Sequence, residues 1–201
     1  MGMDWARPSR LEEALEALAA RPWRVLAGGT DLFAATDRPR LAGPVMDVTG
    51  VAGLSGVTVE GGEVRIGAAT PWAALAGAGL PPACAGLVAA AREVGGAQVQ
   101  ARGTLGGNLC NASPAADGVP PLLTLGAEVE LASAAGRRRL ALAEFLRGPR
   151  ETALAPGELM TAVILTETTG CGAFVKLGAR RHLVISILMA AVRLEVAAGR
   201  V

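Results

Sequence analysis

Gly103-Thr104-Leu105-Gly106-Gly107-Asn108-Leu109-Cys110-Asn111-Ala112-Ser113-Pro114-Ala115-Ala116-Asp117 decides how the rest of the chain is read. Glycines beside a threonine let backbone N–H groups approach a bulky anion at φ values that other residues avoid. Thr104 adds a hydroxyl donor. Asn108, Asn111 and Ser113 add neutral donors and acceptors, and Asp117 supplies one carboxylate able to accept hydrogen bonds from sugar hydroxyls. The stretch is a candidate pocket for a phosphorylated, sugar-bearing ligand. The competing reading is a glycine-rich surface turn followed by an Asx turn.

Arg24-Val25-Leu26-Ala27-Gly28-Gly29-Thr30-Asp31-Leu32-Phe33 repeats the theme. A strand-like segment runs into two glycines, a hydroxyl residue and a helix start, where free N–H groups suit a diphosphate without any lysine. Asp31 carries the wrong sign for a phosphate ligand, which leaves it as N-cap of the next helix or as acceptor for a ligand hydroxyl. Neither stretch matches the commoner nucleotide loops. No Gly-Lys-Ser or Gly-Lys-Thr is present, and no Gly-x-Gly-x-x-Gly opens a helix. Two separate glycine elements converging on one ligand is the expected arrangement.

In this order, Ala27-Gly28-Gly29-Thr30-Asp31-Leu32, Gly103-Thr104-Leu105-Gly106-Gly107-Asn108 and Ser113-Pro114-Ala115-Ala116-Asp117 resemble the FAD-binding medium subunits of molybdenum hydroxylases, the xanthine dehydrogenase and carbon monoxide dehydrogenase family. Residues 8–14 resemble the family's first helix, and 174–181 its link into the last domain. The resemblance implies an α+β fold of the PCMH and vanillyl-alcohol-oxidase kind. Residues 1–50 would form a β-α-β subdomain and 51–172 a second subdomain, a mixed, largely antiparallel sheet with flanking helices. Residues 173–201 would begin a C-terminal α+β domain, either truncated or unusually short.

The resemblance further implies FAD as cofactor. Its pyrophosphate would meet backbone N–H groups of Ala27, Gly28, Gly29 and Thr30 on one side and of Thr104, Gly106, Gly107 and Asn108 on the other. Val25, Leu26, Asp31 and Leu32 would flank the first turn, and Asp117 would place a carboxylate near the cofactor. Met160 falls on an apolar cofactor contact, with a plain core residue as the other reading. Lys176 falls on a cofactor-binding lysine, whose ammonium favours negative charge on the flavin or its phosphates. The family's usual Arg-Asn pair is replaced by Gln100-Ala101, which removes a guanidinium from the loop's anchoring. Arg102 follows in a segment that reads as strand-like.

No catalytic residue and no metal ligand is implied in this chain. Molybdopterin would sit in a large partner subunit and 2Fe-2S clusters in a small one, with electrons reaching NAD+ or another acceptor by way of this subunit. Two other classes compete: a self-contained FAD-dependent oxidase, and a non-catalytic scaffold that has lost FAD.

Composition fits that reading. The 201 residues are 51% hydrophobic with a net charge of +1, which favours a folded protein and gives no field for nucleic acid or an anionic membrane. The longest apolar run is shorter than the roughly 20 residues of a membrane helix, and residues 1–10 do not open a signal peptide. Three scattered cysteines suggest neither a disulfide framework nor a metal cluster and suit a reducing cytoplasm. His182, the single histidine, reads as structural. Arg137-Arg138-Arg139 reads as a solvated turn in preference to a phosphate patch.

In chain order, Ser9 and Glu12 form a capping box for a helix to about Ala20, followed by strands at 25–27 and 44–48 in a parallel unit. Segments 57–60 and 63–66 make a hairpin through Gly61-Gly62. Thr70-Pro71 starts a helix as N-cap and N1, and another runs from Pro82 to about Val94. A helical turn or two at 120–125, strands at 128–132 and 140–142, and a strand at 159–166 follow. The end reads as a strand from Ala173 to Leu177, an amphipathic segment from about His182, and a strand at 193–196.

Overall fold

A short helix and three short strands build the first layer of the computed structural model, which describes residues 4–37, 41, 43–166, 168–181 and 183–196. β1 (Trp5–Ala6), α1 (Leu11–Ala20), β2 (Arg24–Leu26) and β3 (Val45–Asp47) follow one another. β3 lies between β1 and β2 and is parallel to both. Helix α1 buries Ala14 and Leu18, one turn apart, toward this layer. It begins one residue later than the Ser9–Glu12 box requires. Glu13, not Glu12, reaches back, accepting from the N–H groups of Ser9 at 3.0 Å and Arg10 at 3.3 Å.

The second layer starts with β4 (Val57–Glu60) and β5 (Glu63–Gly67), joined by the expected Gly61-Gly62 turn, both glycines at positive φ. Helices α2 (Trp72–Ala76), α3 (Ala85–Glu93), α4 (Ala97–Arg102), α5 (Leu105–Asn111) and α6 (Val119–Thr124) come next. Then come β6 (Glu128–Ser133), β7 (Gly136–Ala141), α7 (Leu142–Phe145), β8 (Leu146–Gly148), β9 (Glu151–Thr152) and β10 (Leu159–Leu165). β11 (Cys171–Gly178) and β12 (Ser186–Leu194) close the described chain as an antiparallel pair. The larger sheet runs β4-β5-β10-β6-β7, antiparallel throughout.

Every residue of β10 is buried, because both faces are covered. Met160 and Val163 join Trp72, Leu87, Leu105 and Leu122 in the main core. Leu159 joins Ala14, Leu18 and Met46 in the core of the first layer. The architecture is α+β, as expected. Among the described residues no helix is long and apolar enough to cross a membrane.

Several local expectations are corrected. Residues 97–102 form a helix, not a strand-like segment. Pro71 is the N-cap of α2 and not its first residue, because the Thr70 hydroxyl is engaged with Gly56, accepting from its N–H at 2.9 Å and donating to its carbonyl at 3.1 Å. The strand expected at 140–142 ends at Ala141, and a helical turn begins at Leu142. Arg137, Arg138 and Arg139 are exposed, as expected, but lie in β7 and not in the turn itself. They reach Glu130, Glu158 and Glu63 at 3.6, 2.6 and 3.1 Å. Of the strand expected at 193–196, residues 193 and 194 are the end of the longer β12, and 195 and 196 lie outside it. His182 lies outside the described residues.

Glu130 is the electrostatic centre of the sheet. Arg65 donates to both its carboxylate oxygens, at 2.8 and 3.2 Å, and the Thr161 hydroxyl donates at 2.6 Å. The Arg65 hydrogen bonds hold its carboxyl down to about 2 from the ordinary 4.5, against the opposing effect of burial. A depressed acid contributes stability above its unfolded pKa and loses it as pH falls through the folded one. Glu130→Gln is therefore expected to cost about 2 kcal/mol at pH 7. The cost shrinks between pH 4.5 and about 2, the interval set by the two pKa values. Urea unfolding at pH 7 and at pH 3 measures both; an equal loss at the two pH values would contradict the assignment.

Candidate functional site

A cavity of about 920 Å³ opens between the end of β2, the start of α5 and the start of β10, the central strand of the larger sheet. That lies at the upper end of the roughly 300–1,000 Å³ usual for small-molecule sites. The run from Val25 to Leu32 lines one side, and Thr104, Gly106, Gly107 and Asn108 line another. Asp117 and Met160 also line it, Met160 while packed in the main core, so its two readings are compatible. Lys176 does not line the cavity.

Close packing brings the two glycine elements together. A Cβ on Gly28 would overlap the Arg102 carbonyl oxygen and stand 2.5 Å from its carbon and 2.8 Å from Gly103 Cα. A Cβ on Gly106 would stand 2.7 Å from the Ala68 carbonyl oxygen. Both glycines exist to let backbones touch. A polar link joins the same walls: Asn111 Nδ2 donates to Asp31 Oδ1 at 2.7 Å. Asp31 thus accepts from a neighbouring side chain. Residues 30–35 form consecutive turns and not the expected helix, with Phe33 N–H on the Gly29 carbonyl at 3.0 Å.

The two elements differ in what they offer an anion. Among the described residues, the N–H groups of Gly28, Gly29, Thr30, Asp31 and Leu32 make no hydrogen bond within the chain. The second stretch is a helix start whose donors from Leu105 to Asn108 are engaged. Leu105 N–H goes to Thr70 O, Gly106 N–H to Ala68 O at 2.8 Å and Asn108 N–H to Thr104 O at 3.0 Å. Gly107 N–H goes to the Thr104 hydroxyl at 3.1 Å, so Thr104 acts as an N-cap. The expectation that Gly106, Gly107 and Asn108 present free N–H groups is corrected. A sequence shows glycine but not which acceptor its amide meets.

Two buried polar atoms on the cavity-lining residues lack partners: Asn108 Oδ1 and Asp117 Oδ1. Unpaired buried acceptors are costly, and a ligand donor would satisfy them. The other Asp117 oxygen accepts from Lys176 Nζ at 2.7 Å, and Lys176 also donates to the Glu93 carbonyl at 3.0 Å. Burial pushes the Asp117 carboxyl above its ordinary value; the Lys176 hydrogen bond and charge pull the other way. Lys176 is therefore a support for Asp117. Gln100, where the family's arginine was expected, donates through Nε2 to the carbonyls of Arg92 at 2.9 Å and Val94 at 3.1 Å, which anchors α4 by another route. Arg150 and the apolar run 183–185 also line the cavity. Neither was a site candidate in the sequence, since neither carries a motif and both lie far along the chain from the glycine stretches.

A family model described as the FAD binding domain in molybdopterin dehydrogenase matches residues 1–166. The chain belongs to that family. This FAD-binding domain is 35% identical over 191 residues to the nicotinate dehydrogenase FAD-subunit of Eubacterium barkeri, covering 90% of this chain and 64% of that protein. It is also 35% identical over 181 residues to the carbon monoxide dehydrogenase medium chain of Afipia carboxidovorans, covering 84% and 60%. Among solved structures, a chain of the reconstituted CO dehydrogenase from Oligotropha carboxidovorans superposes with a TM-score of 0.85 at 31% identity, covering 99% of this chain and 71% of that one. The domain thus spans less than two thirds of the length of the two curated relatives.

Proposed function

We propose that the cavity holds FAD and that the chain is the FAD-binding, electron-transfer part of a molybdopterin-dependent dehydrogenase or hydroxylase. The observation that carries the reading is the run of free N–H groups from Gly28 to Leu32, on residues that line a dinucleotide-sized cavity. The glycine cradle fits a diphosphate, and the orphaned Asn108 and Asp117 oxygens fit ribityl or ribose hydroxyls. When bound, FAD supplies redox chemistry at its ring.

The protein's own residues bind and orient. Gly28 to Leu32 donate main-chain hydrogen bonds, and Thr104, Gly106 and Gly107 shape the opposite wall. Met160 supplies apolar contact, Asp117 accepts, and Lys176 keeps that carboxylate in place. Partner subunits of this assembly would be a large one with the molybdenum cofactor and a small one with 2Fe-2S clusters; NAD+ or another acceptor would take the electrons.

The chain mixed with FAD is expected to show a protein-bound flavin absorption band after gel filtration. It is also expected to oxidise no substrate by itself. A colourless protein after FAD addition would favour a scaffold without cofactor, and substrate turnover by the chain alone would favour a self-contained oxidase.

A further inference from the structure

We propose that Arg150 supplies the positive charge for the diphosphate of the bound dinucleotide, and that Asn111 and Asp31 set where its guanidinium stands. The inference rests on the cavity holding FAD. Arg150 occupies the turn between β8 and β9 at φ 62, a left-handed conformation that strains a residue with a side chain. The surroundings hold it there. Its N–H donates to the Ala112 carbonyl at 2.8 Å, and its guanidinium donates to the Asn111 carbonyl at 3.3 Å and to the Asn111 side-chain oxygen. The other end of the same amide donates to Asp31. Only one orientation of Asn111 serves both neighbours, because arginine only donates and the carboxylate only accepts.

The spacing decides the electrostatics. Arg150 is the only cationic side chain among the described residues that line the cavity. Of the three lining carboxylates, Glu158 and Asp117 are matched by Arg138 at 2.6 Å and Lys176 at 2.7 Å, and Asp31 accepts from the Asn111 amide. Among the described residues no carboxylate forms an ion pair with Arg150. Direct contact with Asp31 would quench the cation. The neutral Asn111 between them fixes the guanidinium and keeps it out of an ion pair with Asp31, beside a cavity that the residues with free N–H groups also line. A diphosphate entering that cavity completes the set.

The test measures dissociation constants of FAD, ADP and riboflavin for the whole chain and its Arg150→Met and Arg150→Lys variants, at low and high salt. Arg150→Met is expected to weaken FAD and ADP by about 30-fold. It should flatten their salt dependence and leave riboflavin, which lacks phosphate, unchanged. Arg150→Lys should recover part of the loss. Equal FAD and ADP affinities in wild type and Arg150→Met overturn the inference while the cofactor reading stands, and a matching loss for riboflavin overturns it as a general structural effect. A wild type that binds ADP but not FAD removes the cofactor reading, and the ADP comparison alone then judges Arg150. A wild type that binds neither removes both.

Discussion

Gly28→Ala is expected to cut FAD affinity on the order of 100-fold. The added methyl would meet the carbonyl of Arg102 and the Cα of Gly103, all main-chain atoms that cannot rotate aside. Over-packing of that kind costs about 3 kcal/mol when backbone has to move. The variant relieves the clash by spreading the two glycine elements, and closing them again on a ligand draws the same energy from binding. At 1.4 kcal/mol per decade, about 3 kcal/mol is two orders of magnitude. Gly61→Ala is the control. Its φ of 58 penalises a side chain, but nothing lies within 4 Å of the new methyl, so stability falls slightly and flavin affinity holds. Flavin fluorescence titration with urea unfolding separates the two variants. Wild-type affinity in Gly28→Ala would remove close approach of the two walls from the account of the site.

The same glycine shows what a sequence makes legible. Gly28-Gly29 and Gly106-Gly107 announce that backbone must come close to something, and both pairs do line one cavity. What they approach is not written in the run. Gly28 packs on Arg102 and Gly106 on Ala68, both protein backbone, and the amides of Gly106 and Gly107 are engaged within the fold. Elements with strong local signals read well: the Gly61-Gly62 hairpin, the buried β10 and the helix after Pro82. Residues 97–102 read poorly because Gln98-Val99-Gln100 alternates like a strand, while helical bonds such as Gln100 N–H to the Gly96 carbonyl at 2.9 Å form instead. Arg150 was invisible for a different reason. Its importance comes from the chain folding Asn111 and Asp31 beside it across large sequence separations, and no local pattern encodes that.

Lys176→Met is expected to show that this lysine acts through Asp117. The pair is nearly enclosed, with side-chain exposures of 5% and 9%. Removing the ammonium strands a carboxylate that already has one unpartnered oxygen. Breaking a buried pair from one side costs about 3 kcal/mol or more. The sign with pH follows from burial, which raises the Asp117 carboxyl already in the presence of Lys176. Without the cation that pKa rises further. An acid whose folded pKa exceeds its unfolded one loses stability as pH rises through the folded value. The variant is therefore most destabilised in alkaline buffer and regains part of the loss under mildly acid conditions, where Asp117 takes a proton. Lys176→Met combined with Asp117→Asn removes the stranded charge and should restore much of the stability at high pH. Flavin affinity gives the second readout. The double variant replaces the Asp117 carboxylate by a neutral amide, so it should bind FAD more weakly than wild type. Full affinity in the stabilised double variant would mean that the charge of Asp117 serves the fold and not the cofactor.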